Sequence, residues 1–97
     1  MEKRKDRRIK KRLMAKINDK AAVLVDISRK GFKISTAVLP PNRKVDVTVQ
    51  AGNQTFDLKG YTCWINQKIT APRMYDLGIT VKEASTEYYQ FLDGILA

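Results

Sequence analysis

Apolar and polar positions alternate along most of this chain, with a period of two. The cleanest case is "KVDVTVQ", where Val45, Val47 and Val49 interleave with Asp46 and Thr48, the pattern of a half-buried strand. "GFKIST" sets Phe32 and Ile34 against Lys33 and Ser35, and "RMYDLGITVK" puts Leu77, Ile79 and Val81 on one face. "RLMAKI", Arg12 to Ile17, reads as a short strand with "NDK" as a turn after it. "AAVLVDIS" is apolar enough to be a buried strand, with Val23, Val25 and Ile27 expected on one face. "QTFDLKGYTCWI" runs long for one strand, and Gly60 in its middle suggests a bulge or bend. "VLPPNRK" is a connection, because Pro40 and Pro41 have no N–H for a ladder, and "NQKITAP" reads as a loop.

The period changes once. In "STEYYQFLDGILA" the apolar residues Tyr88, Phe91, Leu92, Ile95 and Leu96 fall at helical spacing behind Ser85, a candidate N-cap. The whole is about six antiparallel strands and one C-terminal amphipathic helix. A chain of 97 residues holds one core, and so many short strands hide their edges best by closing on themselves. The expected fold is all-β with one helix: a six-stranded antiparallel barrel, its end or outer face covered by the helix.

Composition narrows the chemistry. The chain is 43% hydrophobic and 30% charged, a foldable balance. No stretch nears the ~18 consecutive apolar residues of a membrane span, and the basic N-terminus lacks the apolar core of a signal peptide. One cysteine, Cys63, and no histidine leave no internal disulfide and no Cys/His zinc cluster. Histidine acid–base chemistry goes with them, and no phosphate loop or set of paired acids with a base takes its place. A binding protein in a reducing cytosol, rather than an enzyme, is the expectation. Cys63 and Trp64 are neighbours on one strand, so one of them should face inward. A buried thiol is expected, and an indole in the barrel wall or core, with the lining of a ligand site as its alternative.

The charge is concentrated. The net value is +9, and the first twelve residues, "MEKRKDRRIKKR", carry eight cations against Glu2 and Asp6, so +6 of it lies there. Residues 1–12 therefore read as a basic arm and 13–97 as the barrel with its helix. The arm has almost no apolar residue besides Ile9 and is expected to be mobile. Within it, Arg8 and Arg12 stand four apart. They would share a face if helical, or lie ~13 Å apart if extended. Arginine offers a planar fork of donors and a stacking surface, which suits phosphates and bases. A solvated tail, or an arm that binds nucleic acid without sequence preference, fits equally well.

The turn in "DISRKG" is the other candidate. Asp26 and Ser28 lie on one face of a strand end, and Gly31 can take a positive φ or allow a close approach. A carboxylate and a hydroxyl could read the N1–H and N2–H₂ edge of a guanine, or simply bond turn amides. Arg29 and Lys30 could assist with phosphates or sit in solvent.

Together, "RRIKKR" and "DISRKG" resemble the PilZ domain, whose signature is RxxxR followed by (D/N)xSxxG. The resemblance extends to "GYTCWI", to "YDLGITV" and to the terminal helix. Only residues 13 to 25 separate Arg12 from Asp26, a shorter interval than many family members have. The resemblance implies a PilZ-type barrel that binds the bacterial second messenger cyclic di-GMP and needs no cofactor. Arg8 and Arg12 would grip guanines and phosphates, Asp26 and Ser28 would contact a guanine, and Gly31 would keep the turn open. Arg7, just before the first motif, would favour an intercalated dimer of the dinucleotide. The output implied is an arm pinned to the barrel, presented to an effector protein in motility, polysaccharide, pilus or transcriptional control. The rival expectation is a small-barrel nucleic-acid binder, against which the carboxylate of Asp26 argues, since it would repel a phosphate backbone.

Overall fold

The computed structural model describes residues 8–69 and 73–96. Six antiparallel strands, β1 (Arg8–Ile17), β2 (Lys20–Ser28), β3 (Gly31–Thr36), β4 (Lys44–Ala51), β5 (Gln54–Lys68) and β6 (Met74–Glu83), precede one helix, α1 (Thr86–Leu96). They close into a barrel in the order β1-β2-β3-β6-β5-β4. The sequential hairpins need only short turns. Asn18 and Asp19 take φ of 49° and 71° to join β1 to β2, the left-handed pair that a two-residue hairpin requires and that Asn and Asp tolerate. Asn18 also anchors this turn to β4, its N–H donating to the Asp46 carbonyl at 2.8 Å and its Oδ1 accepting the Asp46 N–H at 3.0 Å.

The barrel interior is filled by one inward row from each strand, including Ile17, Leu24, Ile34, Val47, Leu58 and Leu77, all nearly or fully buried. α1 seats its apolar stripe against this core. Tyr88 and Leu92 are fully buried, and Phe56 of β5 meets Tyr88 edge-on at 5.8 Å and Phe91 at 5.2 Å between ring centroids. Burying a side chain such as Leu92 contributes ~1.5–3 kcal/mol. Ser85 caps the helix, its Oγ accepting the Tyr88 N–H at 3.2 Å.

Three departures from the alternation have one kind of cause, an extra residue in a strand. In β2 the inward residues are Ala22, Leu24 and Ile27, while Val23 and Val25 lie half-buried on the outside. Leu24 pairs with Ile34 and Asp26 with Lys33, so Val25 is a bulge that resets the phase. In β5 Thr62 pairs with Ile79 and Trp64 with Gly78, so Cys63 is the extra residue. Neither Cys63 nor Trp64 is buried, contrary to the inward position expected of one of them. At Gly60, where the sequence suggests a bulge or bend in β5, the extra residue is instead Lys82 of β6. Lys59 pairs with Glu83 and Gly60 with Val81, while the register with β4 runs through Gly60 unbroken. β5 then runs on through Lys68, so part of the expected loop is strand.

β1 also begins earlier than the sequence suggests. Arg8 pairs with Ser28, Ile9 with Ile27 and Lys10 with Asp26, taking Arg8–Arg12 into the sheet and out of the expected arm. Ile9, packed against the core, supplies the apolar anchor. The rest of the arm, 1–7, lies outside the described residues.

Candidate functional site

The two sequence motifs meet at the register Arg8↔Ser28 and Lys10↔Asp26. From Lys10↔Asp26 to Leu13↔Leu24, two residues of β1, Lys11 and Arg12, oppose Val25 alone. A bulge on each strand is thus centred beside Asp26. Bulges bend a strand and re-aim the side chains next to them, and Asp26 turns its carboxylate onto the guanidinium of Arg8. The two form an ion pair in which Asp26 is mostly buried and Arg8 is nearly half exposed.

This pair stands at one end of a cleft of about 560 Å³ on the outer face of the barrel. Its other walls come from the turn, β3, β5 and β6: Lys30, Lys33, Cys63, Trp64 and Thr80 among them. Gly78 forms part of the floor. A Cβ there would lie 2.2 Å from the Trp64 indole, so the ring lies directly against the bare backbone of β6. Cross-strand pairing of Trp64 with Gly78 fixes this arrangement. Cys63 Sγ lies 2.7 Å from Thr80 Oγ1, tying the bulge to β6.

The turn itself is rigidly built. Ser28 is fully buried, and its hydroxyl sits 3.2 Å from the Gly31 carbonyl and 3.4 Å from the Gly31 N–H, closing the turn from within. The Val81 N–H donates to the Lys30 carbonyl at 2.8 Å, which docks the turn on β6. Gly31 does not take a positive φ. It is required for the other reason anticipated, since a Cβ at Gly31 would lie 2.0 Å from the Ile79 carbonyl oxygen. The close approach seen is that of β6. Arg29 reaches across to Asp93 of α1 in an exposed ion pair.

Of the sequence candidates, Arg8, Asp26 and Gly31 come together in the cleft. Ser28 shapes it from beneath without lining it. Arg12 is exposed on the β1 bulge, outside the lining, and Arg7 lies outside the described residues. Lys33, Trp64 and Thr80 are among the lining residues that lie outside both motifs. Chemically the cleft offers three cations, one carboxylate and one indole face, a set suited to an anion that carries a planar heterocycle. Among the described residues no group of His, Cys, Asp and Glu could hold a metal ion.

No family model matches this chain, and no curated protein matches it. Among solved structures it is similar to that of the Bacillus subtilis inhibitor of motility (MotI/DgrA), with a TM-score of 0.79 and 11% identity. The match covers 99% of this chain and 50% of that one, so the chain spans half the length of the structure it resembles. At this identity the likeness is one of fold: the chain has a closed six-stranded barrel with a C-terminal helix, shared along nearly its whole length with part of that motility inhibitor.

Proposed function

We propose that the cleft binds cyclic di-GMP and that the chain is a PilZ-type receptor for it. The observation that carries this reading is the convergence of Arg8 and Asp26, one residue from each motif, at the mouth of a cleft walled by Lys30, Lys33 and Trp64. The carboxylate of Asp26 suits the N1–H and N2–H₂ of a guanine. The guanidinium of Arg8 and the ammonium groups of Lys30 and Lys33 suit the two phosphates, and the Trp64 face suits a stacked purine. Arg12 and Arg7 would close over the ligand from the β1 side. Ser28 and Gly31 act by holding the turn to β6, not by touching the nucleotide. The likeness to a motility inhibitor is consistent with an output in motility, through an effector protein met by the ligand-bound surface.

Because Arg8 is already held in β1, the ligand need not order it, which saves ~1–2 kcal/mol of backbone entropy per residue. Against this, the Arg8–Asp26 pair must open, and its partial exposure makes that opening inexpensive. A few charge-assisted bonds at ~1.5–3 kcal/mol each leave an affinity on the order of micromolar. Calorimetric titration with cyclic di-GMP, read together with quenching of the single tryptophan, tests the reading. Arg8→Ala is expected to lower affinity by at least about tenfold, ~1.4 kcal/mol, with little change in Tm. Asp26→Ala is expected to erase the preference for guanine over adenine dinucleotides. Undiminished affinity in Arg8→Ala, or a wild-type protein that takes generic DNA as readily as the dinucleotide, would overturn it.

A further inference from the structure

β5 outruns its neighbour. β4 pairs with it from Ala51↔Gln54 to Lys44↔Tyr61, and one last backbone bond joins the Thr62 N–H to the Arg43 carbonyl at 2.8 Å. Beyond that point, from Cys63 to Lys68, β5 is bonded to β6 alone, and among the described residues its other side is an open edge of N–H and C=O groups. Proteins guard edges they do not use with charge, proline or bulges. The free stretch of β1, Arg8–Leu13, is guarded in this way by four cations and a mid-strand bulge. The β5 edge is not. "CWINQK" contains no proline and no acid, its bulge lies at its very start, and beyond it Trp64–Lys68 runs in unbroken register with Met74–Gly78. Trp64 and Ile65 are 46% and 48% exposed, and Ile69 just beyond is fully exposed.

The charges framing this edge select its occupant. Arg43 and Lys44 stand exposed where β4 begins, and Arg73 stands exposed at the far end beside Lys68, which is half exposed and pairs with Asp76 of β6 at 3.7 Å, while no acid occurs in β5 between Tyr61 and Ile69. A second copy would bring the same cations to the same edge, and like charges across a strand pair are destabilising. An anionic lipid surface would match the cations but leave the strand's N–H and C=O groups without partners. We propose that the β5 edge, Cys63–Lys68, docks an extended acidic segment of another protein by strand addition, with apolar residues of that segment against Trp64 and Ile65. The inference does not rest on the nucleotide reading, although the two share Trp64, and its test contains no nucleotide.

The probe is a blocked peptide of alternating Glu and Val, with a Lys/Val peptide of the same pattern as control. Amide hydrogen exchange at Cys63–Lys68 is expected to slow about tenfold at ten times the peptide's Kd, with no change from the control peptide. Ile65→Asp, a carboxylate set into the edge, is expected to abolish this protection, and Arg73→Glu to weaken it. Unaltered core exchange at Leu24 and Ile34 certifies that each variant is folded. Four results would overturn the proposal: no protection at millimolar peptide, equal protection by the Lys/Val peptide, undiminished protection in folded Ile65→Asp, or protection by phosphatidylglycerol vesicles where the peptide gives none.

Discussion

Gly31 and Gly78 both border the cleft, but a methyl group added to each would meet a different kind of obstacle. At Gly31 it meets the backbone, 2.0 Å from the Ile79 carbonyl oxygen, so β3 and β6 must part for it to fit. At Gly78 it meets the Trp64 indole at 2.2 Å, the far end of a side chain already 46% exposed. Gly31→Ala is therefore expected to cost about 3 kcal/mol, and Gly78→Ala about 1 kcal/mol because the ring can swing aside. Chemical denaturation followed by circular dichroism measures both losses. The tryptophan emission of native Gly78→Ala should shift to the red, whereas that of native Gly31→Ala should not. A larger loss in Gly78→Ala than in Gly31→Ala would mean that Trp64 is held far more firmly than its exposure indicates.

At the scale of the element, α1 carries an unsatisfied group into the core. Tyr88 is fully buried, and its hydroxyl has no hydrogen-bond partner among the described residues. Burial, with a smaller contribution from neighbouring Tyr89, pushes the Tyr88 phenol far above its usual range. Because the folded state holds this proton more tightly than the unfolded chain, the associated stability is complete below the unfolded pKa of about 10 and declines as pH rises beyond it. Tyr88→Phe removes the orphaned hydroxyl while keeping the ring against Phe56. It is expected to be neutral or to stabilise by up to ~1 kcal/mol at pH 7, and to flatten the alkaline limb of a Tm-against-pH profile. A clear loss of stability at pH 7 would imply a partner for the hydroxyl.

The elements also mark what the chain could and could not disclose. β4 and α1 were legible because unbroken runs, Val45 to Val49 and Tyr88 to Leu96, each hold one period. The inward face of β2 was not, since a bulge at Val25 changes the phase within an apolar run, and alanine and valine give no local sign of it. The same holds at Cys63, where one extra residue leaves two consecutive side chains outside the core. The start of β1 was hidden behind a charge run that hides a single packed isoleucine, Ile9. The motifs singled out Arg8 and Asp26, which the structure pairs beside one cleft. They left open whether Ser28 bonds its own turn or a ligand, because the two roles have the same sequence.

Across the whole molecule, closure is uneven. Among the described residues β1 meets β4 only over Met14–Ile17, so there Arg8–Leu13 is held from one side, by β2. Segments held in this way open locally at less cost than the core. Amide exchange at Lys10–Leu13 is expected to run much faster than at Leu24 or Ile34, and to slow on addition of cyclic di-GMP while exchange across β4 stays unchanged. Equal protection of both halves of β1 without ligand would show that the seam does not limit opening.

The barrel order has one more consequence. Arg8 and Thr80 line the same cleft although they stand near opposite ends of the chain, and the residues between them in the wall come from β2, β3 and β5. A nascent chain emerging from the ribosome therefore has no cleft until β6 is out and paired with β3 and β5. On the function proposed above, truncated or half-folded copies would carry both motifs yet fail to bind cyclic di-GMP, so only finished molecules would respond to it.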